Sequence, residues 1–130
     1  MSSDETLLPL ASSLAASKGW DDFTRTLMLA GKSLTPLPLD ERTPDTAVEG
    51  CESPVWLSYS AERDSLMAYS PSKVIRGVLA VLLEKANTLS KAQRGNFDFE
   101  GYLSRCQLER YLSQSRGNVI KSVITKLKGV

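Results

Sequence analysis

Cys51 and Cys106 are the only cysteines of this 130-residue chain, and it has no histidine. Together these two facts narrow the chemistry considerably. A cysteine hydrolase or acyltransferase ordinarily activates its thiol with an imidazole, and there is none to do so. A thioredoxin-type dithiol needs C-x-x-C, which is missing. Structural zinc takes four Cys or His ligands and an iron-sulfur cluster takes mostly thiolates, so two cysteines 55 positions apart build neither within one chain. What remains is a single reactive thiol, a disulfide between Cys51 and Cys106, or two packed thiols. The disulfide is disfavoured because a cytoplasmic chain of this size needs no such staple.

Of the two cysteines, Cys51 has the setting that better suits chemistry, while by pattern alone it reads also as a small buried hydrophobe. It follows Gly50 at the end of a proline-rich stretch, Ser33 to Gly50, that carries Pro36, Pro38 and Pro44, a composition that opposes regular helix and predicts a long ordered loop. Reactive groups are commonly held on such loops by a rigid scaffold, and Gly50 permits a turn and a close approach by another main chain. Cys106 ends a weak helical segment and is expected to be a packed or partly exposed structural thiol.

The elements that must hold Cys51 follow from periodicity. After it, Val55, Leu57 and Tyr59 alternate with Trp56, Ser58 and Ser60, which predicts a strand. Ala61 to Asp64 form a turn into a second strand, Ser65 to Tyr69, and Thr46 to Val48 supply a third. A short first helix spans the leucines from Leu7 to Leu14, and a second carries Trp20, Phe23, Leu27 and Ala30 on one face, with Asp21 and Asp22 in its first turn. Ser70-Pro71 is the expected start of the main core helix, with Val74, Ile75, Val78, Leu79 and Leu82 behind it. Shorter helices are expected over Ser90 to Arg94 and Phe97 to Cys106. A last helix begins near Ser113 or Ser115 and buries Val119, Ile120, Val123, Ile124 and Leu127. Helices on either side of a run of strands predict a single α+β domain over residues 1–130, a small antiparallel sheet of about three strands with helices packed on one face.

Lys and Arg number 16 against 15 for Asp and Glu, so the net charge of +1 provides no broad pull toward nucleic acid or an anionic membrane. The acidic start, Met1-Ser2-Ser3-Asp4-Glu5, is unlike a secretory signal. The longest apolar run, Gly77 to Leu83, is too short to cross a bilayer. A soluble, cytoplasmic protein is expected.

Val48-Glu49-Gly50-Cys51-Glu52-Ser53-Pro54-Val55-Trp56-Leu57 resembles the V-x-G-C-x-S-x-V-W-L signature of the SufE/CsdE family of sulfur acceptors. Trp20-Asp21-Asp22, Leu29-Ala30-Gly31-Lys32, Leu34-Thr35-Pro36-Leu37-Pro38, Val74 to Leu83 and Leu112-Ser113-Gln114-Ser115-Arg116 are similar to further family segments, in order and spacing. The sequence departs from the pattern at Ala30, at Pro54 within the cysteine signature, and at Tyr69, where the family often has an aspartate.

The resemblance implies an α+β fold like that of iron-sulfur scaffold proteins, with Cys51 as the residue that forms a persulfide. It implies a cysteine desulfurase as partner and a downstream sulfur acceptor or iron-sulfur scaffold as recipient. It implies no cofactor on this chain, since pyridoxal phosphate resides on the desulfurase, and no independent desulfurase activity. Glu49 and Glu52 flank the thiol and are expected to contact the partner, because carboxylates beside a thiol disfavour its anion, and Gly50 lets the partner's main chain approach. Arg76 and Arg116, in matching segments, are candidates for the docking surface or for the thiolate. A noncatalytic adaptor that binds and stimulates a desulfurase is the alternative.

Overall fold

The computed structural model describes residues 7–48, 54–108 and 114–129, the side chains of 114–118 excepted. The expected hairpin forms: β1 (Trp56–Ser60) pairs antiparallel with β2 (Ser65–Tyr69), placing Trp56 opposite Tyr69, Leu57 opposite Ala68, Ser58 opposite Met67 and Tyr59 opposite Leu66. Asp64 takes the left-handed turn conformation, with φ at 47°, which aspartate tolerates better than most residues. Side chains alternate across a strand. Leu57, Leu66 and Ala68 therefore share the face that joins the main core, while Trp56, Met67 and Tyr69 share the other.

The third strand expected over Thr46 to Val48 is reduced to one antiparallel bridge, Ala47 with Trp56, and a parallel bridge between Pro36 and Ala68 lies on the other edge. The cause is local. The N–H groups of Thr46 and Ala47 both donate to the Thr43 carbonyl at 3.1 Å, so this stretch is turned, and Val48 is the first residue whose N–H reaches β1's side, at the Val55 carbonyl.

Around the hairpin lie α1 (Pro9–Ala15), α2 (Trp20–Gly31), α3 (Lys73–Ala86), α4 (Lys91–Asn96), α5 (Phe99–Arg105) and α6 (Gln114–Gly129). α3 is the centre: Ile75 and every residue from Gly77 to Leu83 are buried. α2 lies against it with Phe23, Leu27, Ala30 and Gly31 inward. The two backbones touch, because a Cβ on Gly77 would stand 2.2 Å from the Leu27 carbonyl oxygen and one on Gly31 would stand 3.1 Å from the Gly77 nitrogen. Trp20, expected with the inward residues, is 51% exposed. As the first helical residue its side chain tilts toward the helix N-terminus, past the end of the core.

The start of α3 also differs from expectation. Ser72, not Ser70, is the N-cap, its hydroxyl accepting from Ile75 N–H at 3.3 Å. Ser70 is buried, its hydroxyl accepting from Ser72 N–H and its carbonyl from Arg76 Nε–H. α4 opens on a capping box between Ser90 and Gln93, and α5 on Asp98, which accepts from Gly101 N–H. Of the expected α6 face, Val119, Val123, Ile124 and Leu127 are buried and Ile120 is half-buried.

α1 has only seven residues, and helices that short are marginal alone. Its end groups are satisfied from afar. Leu10 N–H donates to both carboxylate oxygens of Glu84 at 3.0 and 3.2 Å, and Leu8 N–H donates to the Tyr102 hydroxyl. At the other end, Gln107 Nε2 donates to the carbonyls of Leu14, Ala15 and Ser17.

Candidate functional site

Cys51, with Glu49, Gly50 and Glu52, lies outside the described residues, but the chain on either side of it is described. Val48 N–H donates to the Val55 carbonyl at 2.8 Å, and Leu57 N–H donates to the Thr46 carbonyl at 2.8 Å. Both valines are buried, at 7% and 2% exposure. The described residues on either side of the cysteine segment are thus joined by a hydrogen-bonded pair rooted in the core. From the other side, Lys126 of α6 donates its ammonium to the carbonyls of Asp45 and Ala47 at 3.2 and 3.1 Å. Between this stretch and α6 is an open cleft of about 530 Å³ lined by Pro44, Asp45, Val48, Ser122 and Thr125.

Immediately beyond Val55, the open end of the hairpin carries an aromatic and cationic stack on the face turned away from the main core. Trp56 stacks on Tyr69 with ring centroids 6.4 Å apart and planes 26° from parallel. The Arg42 guanidinium lies 3.7 Å from the Tyr69 centroid and that of Arg76 lies 5.1 Å from it. Each arginine is also fixed by backbone: Arg42 Nε–H donates to the Leu37 carbonyl at 2.8 Å, and Arg76 donates to the carbonyls of Ser70 and Pro71. Cations held over an aromatic face gain about 1 kcal/mol where water is partly excluded. The arrangement sets two permanent positive charges beside the point where the cysteine segment rejoins the sheet.

Arg76, singled out from sequence, thus belongs to this stack, whereas Arg116 lies in α6 with its side chain outside the described residues. Arg42 and Tyr69 were not predicted as site residues. They are 27 positions apart, and their contact arises only from the path of the 3-10 turn Leu39–Glu41. No local sequence signal marks it.

Cys106 is a free thiol at 0% exposure, its S–H directed at the Tyr102 carbonyl at 3.3 Å. Burial is the main reason its pKa is pushed up to about 12; nearby Glu84 adds to the rise and Arg105 opposes it. A thiol in that state is neither nucleophile nor metal ligand at neutral pH. Among the described residues, no three His, Cys, Asp or Glu side chains converge as a metal site needs, and no helix is long and apolar enough to cross a membrane.

The family model for the SufE Fe-S metabolism associated domain matches residues 9–130. The chain belongs to the SufE family. It is 31% identical over 118 residues to the sulfur acceptor protein CsdE of Escherichia coli, covering 85% of this chain and 80% of that one. It is 29% identical over 115 residues to an uncharacterised SufE-like protein of Rhizobium meliloti, covering 84% and 82%. A SufE-like protein of Haemophilus influenzae shares 26% over 121 residues, covering 90% and 95%. The two-stranded hairpin with its bridges, backed by helices, is how this SufE chain realises the expected α+β architecture.

Proposed function

We propose that this SufE-family chain is a sulfur acceptor whose Cys51 takes a sulfane sulfur from the persulfide of a cysteine desulfurase and relays it to a downstream acceptor such as an iron-sulfur scaffold. The observation that carries the reading is the likeness to CsdE, a protein named for sulfur acceptance, at 31% identity over 85% of this chain. The state of Cys106 supports it by leaving Cys51 as the one cysteine with a setting for chemistry.

The transfer is a thiolate displacement. Cys51 thiolate attacks the outer sulfur of the donor persulfide, a new S–S bond forms on Cys51, and the donor's S–S bond breaks to leave the desulfurase cysteine as thiolate. The exchange is redox-neutral. Attack on the inner sulfur would instead give a mixed disulfide and release sulfide, so docking geometry selects the product. An ordinary cysteine, with a pKa of about 8.5, is a few per cent thiolate at pH 7. Positive charge raises that fraction, and Arg42 and Arg76 are the fixed cations at the root of the cysteine segment. Pyridoxal phosphate, which releases sulfur from free cysteine, belongs to the desulfurase. A reduced thiol suits the cytoplasm.

Mass spectrometry after incubation with a desulfurase and cysteine tests the reading. One added sulfur on Cys51 is expected. Stimulation of the desulfurase without that adduct would make the chain a noncatalytic adaptor, and the absence of both effects would refute the proposal.

A further inference from the structure

α2 has a second face. Opposite the residues buried against α3, Arg25, Met28, Leu29 and Lys32 follow one another at helical spacing, and Met28 and Leu29 are 39% and 55% exposed. Beside them, Lys73 and Arg76 from the first turns of α3 complete the rim of a pit of about 290 Å³ floored at Gly31. Gly31 sits close against α3 there, since a side chain at that position would press on the α3 backbone.

Four cations therefore surround two exposed apolar side chains. Among the described residues none of the four is ion-paired with a carboxylate, and Arg76 spends its donors on backbone carbonyls. Asp21, one turn before Arg25, is the acidic residue on this face of α2 and makes no ion pair with it. Single exposed leucines need no explanation. An apolar pair ringed by four cations with no ion-paired carboxylate among the described residues is different, because it selects a partner of opposite charge with apolar side chains at its centre.

We propose that this α2–α3 surface is a docking face for an acidic protein segment that presents apolar side chains between its carboxylates. The net charge of +1 supplies no long-range field of the kind an anionic membrane or nucleic acid exploits, so recognition rests on this local patch. Arg76 is shared with the stack on Tyr69, which makes the face continuous with the root of the cysteine segment. The inference concerns binding alone and stands whether or not Cys51 accepts sulfur.

The test is a titration of the isotope-labelled full chain with a synthetic helical peptide that carries leucines at i and i+4 flanked by glutamates. Amide shifts are expected to concentrate at residues 25–32 and 73–76, with saturable binding that weakens as salt is raised. Arg25→Glu combined with Lys32→Glu should weaken binding at least about tenfold, a loss of roughly 1.4 kcal/mol, and Leu29→Ala should weaken it independently of salt. Both variants leave the buried face of α2 untouched, and circular dichroism verifies their folding. No saturable binding, shifts centred elsewhere, or equal affinity in the charge-reversed chain would overturn the proposal. Tighter binding to phosphatidylglycerol vesicles than to the peptide would also overturn it, assigning the face to a lipid surface.

Discussion

The two cysteines sit in regions built on opposite plans. Around Cys106 the fold excludes water: the thiol lies at zero exposure beneath α5, bonded to a carbonyl within its own helix turn, with the buried rings of Phe99 and Tyr102 in the same core. The Cys51 region is rooted in the core by Val48 and Val55, and directly beyond that root come half-buried rings and two fixed guanidinium groups. One cysteine serves as a small hydrophobe. The other lies between described residues that are hydrogen-bonded to each other, with two guanidinium groups over the Tyr69 ring beyond them. What Cys106 can do is thus set by its burial and the charges near it more than by its residue type.

The sharpest way to break this contrast is to exchange the sulfur. Cys51→Ser should abolish sulfur acceptance from a desulfurase, whereas Cys106→Ser should retain most of it, as read by mass spectrometry of the trapped chain. Added sulfur found on Cys106 of the unaltered chain would erase the distinction.

A second measurement grades it. With its pKa pushed up to about 12, Cys106 in the folded chain should alkylate at pH 8 on the order of a thousandfold more slowly than an ordinary cysteine. The pH dependence has a definite sign. The unfolded thiol ionises near 8.5 and the folded one does not, so the unfolded state binds fewer protons between those values and stability falls as pH rises from about 8.5 toward 12. Cys106→Ala should flatten that decline in denaturant titrations.

The scaffold common to both regions is tested by Gly77→Ala. A methyl there meets the Leu27 carbonyl, and the separation of α2 from α3 should cost about 3 kcal/mol, measured by urea unfolding. The smallest effect is expected at Lys126→Met, which removes two hydrogen bonds to the stretch before Cys51. Global stability should change by less than about 1 kcal/mol, while amide exchange at Asp45 to Val48 should quicken.

Elements with a strong period were legible in sequence. α2 runs from Trp20 to Gly31 as its spacing predicts, and the hairpin keeps the expected strands and turn. Features that depend on competition or distance were not. Ser72 displaced Ser70 as a cap because only the fold buries Ser70. The third strand shrank because turn bonds to Thr43 use the N–H groups that a ladder needs. The cysteine signature drew attention to Cys51, but nothing in it points to Arg42 or Tyr69, which meet the root of that segment only through tertiary structure.

The remote capping of α1 bears on the order in which the protein can be completed. Its partners Glu84, Tyr102 and Gln107 stand 74, 94 and up to 93 positions downstream of the groups they bind. During synthesis α1 must wait for the chain through Gln107 before its ends are satisfied. A seven-residue helix will not persist through that interval unaided. α1 thus locks only after α2 and α3 have been made, and a nascent chain arrested before Tyr102 should leave α1 open to protease while α2 and α3 are already paired.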